Sequence, residues 1–178
     1  MYCSLVTSDV LGLLQDNSAL TDGVGEFLLG CQTYEGGFGC SPFGEAHGGY
    51  SFCALASFCI LSQIGDESYK RINFDKLGEW LANRQLSELG GFNGRINKLV
   101  DSCYSFWVGA CFELIDILSQ KNGFKMSSKD GQYLFSQEAL QGYVVLCCQQ
   151  GNGGLKDKPS KYPDIYHTCY SLAGLSIS

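Results

Sequence analysis

Two histidines are all that this chain of 178 residues contains, and each stands three residues before a Tyr-Ser pair. His47 precedes Tyr50-Ser51, His167 precedes Tyr170-Ser171, and a third pair, Tyr104-Ser105, has Asp101 at the same offset. Cys103 follows closely on Asp101. If the three segments are copies of one unit stacked side by side, these positions converge at one rim. Asp101, Cys103 and His167 then form a candidate zinc set, because zinc accepts nitrogen, sulfur and oxygen donors, and three protein ligands leave one position open for chemistry. The structural alternative is that His167 and Asp101 cap helices while Cys103 packs. Arg95 and Lys98 lie just ahead of Asp101. Helix N-termini attract anions, so these two cations, with His47 and Tyr104 nearby, would suit a phosphate or diphosphate; otherwise they are solvated loop charges. Tyr50 and Trp107 fall in apolar runs, where they line a cavity for an apolar ligand or simply fill a core.

The elements that must position these residues repeat. Gly25, Gly78 and Gly142 each precede a glutamine (Gln32, Gln85, Gln149) by seven residues. A Gly-Gly pair follows each glutamine, starting at Gly36, Gly90 and Gly153, and the Tyr-Ser pair and an apolar run come next. The spacing predicts an amphipathic outer helix up to each glutamine, with Leu77, Trp80 and Leu81 on one face. The Gly-Gly pair is expected to end it through left-handed backbone angles. The run after the Tyr-Ser pair is apolar on nearly every face and predicts a buried inner helix. The expected fold class is therefore all-α: an α/α toroid, or barrel, of helical-hairpin repeats over about 22–65, 75–120 and 137–178 within one domain spanning 1–178. It is read as an incomplete ring, since residues 2–14 look like an inner helix without its outer partner and the last residues lie inside another. An open helical solenoid is the alternative.

Composition narrows the function. A net charge of −6 argues against nucleic acid as a partner, because phosphate-backbone binding needs concentrated basic charge. No apolar run approaches the roughly 18–20 residues of a membrane span. Hydrophobic content of 45% excludes wholesale disorder. Several of the 10 cysteines sit in apolar helical runs, where a free thiol behaves as a small hydrophobe. Free thiols and the lack of a leader segment point to a reducing, cytoplasmic setting.

Three strings, EAHGGYSFC (45–53), GFNGRINKLVDSCYSFW (91–107) and GLKDKPSKYPDIYHTCYSLAGLS (154–176), resemble the β subunits of protein prenyltransferases. The resemblance runs from about Gly23 to the end, more weakly over 2–14, and matches the later part of such a subunit. The DKP and YHTCY strings are most similar to the farnesyl-transferring type; the geranylgeranyl-transferring type I subunit and a non-catalytic toroid fragment are the alternatives. The resemblance implies transfer of farnesyl from farnesyl diphosphate to the cysteine thiol of a C-terminal CaaX protein, by a heterodimer with a separate α subunit. It implies catalytic Zn²⁺ on Asp101, Cys103 and His167, and Mg²⁺ with the diphosphate. His47, Arg95, Lys98 and Tyr104 would neutralise the diphosphate, with Lys98 and Tyr104 also counted as catalytic. Tyr50, Cys53 and Trp107 would line the isoprenoid pocket, and Tyr170 would stand at its far end, favouring the shorter chain.

Overall fold

The structure, a computed structural model, describes residues 1–15, 18–123, 128–129 and 132–178. Among them are eight α-helices: α1 (Tyr2–Val10), α2 (Val24–Gly30), α3 (Gly48–Gln63), α4 (Phe74–Ala82), α5 (Tyr104–Trp107), α6 (Gly109–Lys121), α7 (Gln137–Gly142) and α8 (Ile165–Ile177). A two-residue antiparallel pair, Ser128–Lys129 with Gln132–Tyr133, is a minor addition. The helices form two layers. In the inner layer α1 packs on α3, α3 on α5 and α6, and both of these on α8; α2 covers α3, and α4 covers α6, from outside.

Local sequence explains the layering. Helix α4 buries Phe74, Leu77, Trp80 and Leu81 while Asp75, Lys76 and Glu79 stay in water, the pattern of a wall helix with one core face. Helix α3 buries Ser51, Phe52, Ala54, Leu55, Phe58 and Leu61 around most of its circumference, as an inner helix must. The main core joins Leu55, Phe58 and Leu61 to Leu77, Leu81, Phe92, Ile115 and Leu118; a smaller cluster gathers Val100, Tyr143, Val144, Cys148 and Leu155. All ten cysteines are free thiols.

Three expectations are corrected. The Gly-Gly pairs do not end the outer helices: α2 stops at Gly30 and α4 at Ala82, ahead of the glutamines. The first two pairs instead form joints between successive hairpins. The side chain of Gln32 donates to the Gly36 carbonyl at 2.9 Å and the Asn73 carbonyl at 3.1 Å, and its oxygen accepts from the Asn73 N–H at 3.0 Å. Gln85 repeats this with Gly90 and Ser136, at 2.8 Å in each contact. Asn73 and Ser136 are the N-caps of the next outer helices, α4 and α7. Gly36 (φ 112°) and Gly90 (φ 78°) pass so close to those helices that a Cβ would lie 2.2 Å from the Lys76 carbonyl oxygen and 2.4 Å from that of Ala139. The glycines are there for positive φ and for missing volume.

The second inner helix is broken at Val108 into α5 and α6. The third outer helix reaches its glutamine only by widening after α7 into a π-helical turn, Tyr143–Cys148. Within that turn the Tyr143 hydroxyl and the Cys148 thiol both point to the Asp157 carbonyl, at 3.3 and 3.7 Å.

Candidate metal centre

The backbone at each inner-helix start reveals the true correspondence between repeats. The N–H of His47 donates to the Phe38 carbonyl at 3.0 Å, and that of Asp101 to the Phe92 carbonyl at 3.0 Å. In the third repeat the same bond, to Leu155 at 3.4 Å, comes from Asp164 rather than His167. One residue further on, Gly48 N–H binds the Gly94 carbonyl at 2.8 Å and Ser102 N–H the Asp157 carbonyl at 2.9 Å. Asp164 also caps α8, as His47 caps α3. The equivalent of His47 and Asp101 is thus Asp164. The column set by the Tyr-Ser pairs slips by one helical turn in the third repeat, and His167 is equivalent to Tyr50 and Tyr104.

That slip creates the site. At each joint the residue that binds back to its own loop meets, in the next repeat, the residue three positions past its counterpart. At the first joint His47 Nε2 lies 3.0 Å from the Tyr104 hydroxyl. At the second, Asp101 Oδ1 lies 3.4 Å from His167 Nε2. Cys103, 4% exposed, completes a group whose ligand atoms all lie within 4.8 Å of one another. The Asp101 carboxylate accepts the Cys103 N–H at 2.9 Å, which ties two of the three to one turn. His167 Nδ1 is engaged by Asp164 Oδ2 at 2.6 Å, which leaves Nε2 facing Asp101. Burial, and then the Asp101 charge, push the Cys103 thiol well above its ordinary range. Without a cation this sulfur stays protonated beside a carboxylate. The donor set of thiol, imidazole and carboxylate fits a zinc-type ion, which would turn that repulsion into attraction.

The first joint carries different chemistry. His47 Nδ1 accepts the Gly49 N–H at 3.1 Å, so the neutral ring holds its proton on Nε2 and donates it to Tyr104. The Tyr104 O–H is then free to donate elsewhere. Burial, then Arg95, lowers the basicity of His47, while burial, then Cys103 and Asp101, pushes the Tyr104 hydroxyl to about 12. Arg95 is held by Glu45 at 2.5 Å, both half in solvent. Lys98 is exposed on the same loop and makes no ion pair among the described residues.

The aromatic residues divide into two groups. Tyr50 and Cys53 line a cleft of about 260 Å³ between α1, α2 and α3, with Tyr2 and Leu28. Trp107 and Tyr170 stack at 4.4 Å between ring centres, away from that cleft lining, and Phe52 connects the regions by packing on Trp107 at 5.2 Å and Tyr2 at 5.7 Å. Sequence reasoning missed Tyr166, whose hydroxyl accepts the Trp107 Nε1–H at 2.9 Å and contacts the Cys103 thiol. It also missed Glu45 and Asp164. The latter was readable as an Asp N-cap ahead of an apolar run.

Stacked helical hairpins with a donor triad at the starts of the inner helices define an α/α toroid. The chain belongs to the prenyltransferase alpha-alpha toroid domain family, whose profile matches residues 1–178. The protein farnesyltransferase subunit beta of Schizosaccharomyces pombe is 44% identical over 99% of this chain and 44% of its own length. That of Pyricularia oryzae is 45% identical over 98% of this chain and 37% of its own. A geranylgeranyl transferase type-1 subunit beta from Arabidopsis thaliana is 36% identical over 85% of this chain and 38% of its own. Among solved structures, Candida albicans protein geranylgeranyltransferase-I complexed with GGPP superposes with a TM-score of 0.78 at 28% identity, over 99% of this chain and 47% of that one. The chain thus spans less than half the length of these relatives, and the resemblance to farnesyltransferase β subunits noted from its motifs is borne out. No helix among the described residues is long and apolar enough to cross a membrane.

Proposed function

We propose that this chain forms the catalytic part of a protein farnesyltransferase β subunit. The reaction joins the cysteine sulfur of a C-terminal CaaX protein to C1 of farnesyl diphosphate: the S–C1 bond forms, the C1–O bond breaks, and diphosphate leaves with the electron pair. The observation that carries this reading is the convergence of Asp101, Cys103 and His167 one joint away from the His47–Tyr104 pair. These are a thiolate-generating site and an anion-stabilising site side by side.

Asp101, Cys103 and His167 would hold Zn²⁺, which when bound lowers the pKa of a ligated substrate thiol from its ordinary ~8.5. Tyr104, with its proton free because His47 already donates to the phenol oxygen, would donate to a leaving diphosphate oxygen. Arg95 would exchange Glu45 for the diphosphate, and Lys98 would close on it from the loop. Mg²⁺ would share the remaining charge. Trp107, Tyr170, Tyr50 and Cys53 offer the apolar surface for the isoprenoid. Tyr170, tilted against Trp107 at 4.4 Å between ring centres, would bound that surface, and this placement together with the farnesyltransferase β relatives supports the farnesyl assignment over the geranylgeranyl one. The reading includes an α-subunit partner and a cytoplasmic location.

The test is turnover of a fluorescent CaaX peptide by the chain within its full-length subunit, paired with an α subunit. Farnesyl diphosphate should be used at least tenfold better than geranylgeranyl diphosphate. A preference for the longer chain would move the assignment to the type I geranylgeranyl enzyme, and no turnover with either would leave a binding module.

A further inference from the structure

The proposed metal triad leaves one close contact unexplained. Asp164 belongs to no ligand set, yet both of its oxygens are spent on His167: Oδ1 accepts the backbone N–H at 2.8 Å, and Oδ2 lies 2.6 Å from ring Nδ1. The first contact is an ordinary N-cap. The second is not required of a cap, since Ser136 and Asn73 cap their helices without touching a ring. It directs the imidazole. With Nδ1–H held by a carboxylate, the ring must present the Nε2 lone pair, and its rotation about the Cβ–Cγ bond is limited by the same contact. Nε2 is the nitrogen 3.4 Å from Asp101.

The other imidazole shows the difference. His47 uses its own Nδ1 to cap α3, so it presents Nε2 as a donor rather than as a lone pair. The third repeat starts α8 one turn earlier, gives the capping duty to an aspartate, and thereby frees an imidazole to act as a ligand.

We infer that Asp164 is the positioning residue of the metal centre: its carboxylate fixes the tautomer and orientation of His167 through Nδ1, so that Nε2 faces the ion. The inference rests on the metal reading above.

Three variants of the full chain separate positioning from capping. Asp164→Asn keeps a capping oxygen, but it has one acceptor where the carboxylate has two. Asp164→Ser caps equally well and is too short to reach Nδ1. Asp164→Ala removes both contacts. Each is checked for native helix content by circular dichroism, then titrated with Zn²⁺ against a chromophoric chelator and with Co²⁺ by visible absorption. Zinc affinity should fall about 10- to 100-fold in Asp164→Asn and Asp164→Ser, and the Co²⁺ bands should shift in position as well as in strength. A loss confined to Asp164→Ala would assign the residue to the helix cap and overturn the inference. So would unchanged affinity in all three while the wild-type chain binds zinc. A wild-type chain that takes up neither ion would overturn the metal reading, and this inference with it.

Discussion

The two joints on the inner rim are built alike and equipped differently. Each sets the residue that binds back to its own loop against the residue three positions past its counterpart in the next repeat: His47 against Tyr104 at 3.0 Å, Asp101 against His167 at 3.4 Å. Each is stitched by one backbone bond, Gly48 to Gly94 and Ser102 to Asp157. At the first joint the pair is an imidazole and a phenol, and the result is an O–H that the imidazole leaves free to donate. At the second it is a carboxylate and an imidazole, joined by the Cys103 sulfur, and the result is a set of lone pairs aimed at one point. On the proposed reading, one scaffold thus yields a proton donor and a cation site from the same two backbone positions. Chemistry here depends on side-chain identity at fixed places, as expected where function is grafted on a fold.

The comparison can be broken at its strongest point first. Cys103→Ala should reduce zinc from about one ion per chain to none, read by mass spectrometry, whereas His47→Ala should leave the metal content unchanged. Equal loss in both would mean that the joints are not separate. Next in size, Gly90→Ala puts a methyl group 2.4 Å from the Ala139 carbonyl at a φ of 78°, and should cost about 2–3 kcal/mol, read as a lower Tm. Gly36→Ala should cost as much, because its carbonyl contact is as close. Only Gly90→Ala, at the second joint, should also weaken zinc binding. Tyr104→Phe in the assembled enzyme should lower kcat about 10- to 100-fold with peptide KM and zinc content preserved; a change in zinc content would place the phenol at the wrong joint.

A smaller effect follows from His47. Its pKa is lowered in the fold from the ordinary 6.5, chiefly by burial, so the unfolded chain binds the proton more readily. Its contribution to stability is complete above about pH 6.5 and declines as pH falls below that value. The Tm should drop between pH 6.5 and 5, and His47→Asn, which keeps a capping oxygen, should flatten that slope. An unaltered slope would mean that other groups set it. The smallest effect belongs to Glu45→Gln, which removes a half-exposed ion pair worth at most about 1 kcal/mol. Affinity for inorganic diphosphate, read by calorimetry, should rise by no more than about fivefold; a fall would show that Glu45 holds Arg95 in its working position.

Much of this was legible in the sequence, for reasons that also explain the failures. Leu77, Trp80 and Leu81 recur at helical spacing, so the outer wall declared itself locally. The three glutamines and Gly-Gly pairs exposed the repeat, and at the first two of them the same residues build a joint. Their role was hidden, because the partners of Gln32 and Gln85, Asn73 and Ser136, lie far along the chain. Asp101, Cys103 and His167 were found together, although through a column that holds for two repeats and is one turn out in the third. What counts as an equivalent position is decided by backbone bonds to Phe38, Phe92 and Leu155, each nine residues before its donor, so a count from the Gly-Gly pairs rather than back from the Tyr-Ser pairs leads to Asp164. Tyr166 stayed invisible because its importance lies in reaching the Cys103 thiol and Trp107, a tertiary fact.

The glutamine clasp has a consequence for how the molecule can change over generations. Gln85 grips the cap of α7 on the outer wall, while Asp101 and His167 face each other on the inner one. Beyond the Ser102–Asp157 bond, the alignment of those two side chains also depends, at a distance, on one side-chain amide and on the missing methyl of Gly90. A change at this hinge pin would then be felt as a misalignment on the opposite wall, at residues that Gln85 and Gly90 never touch.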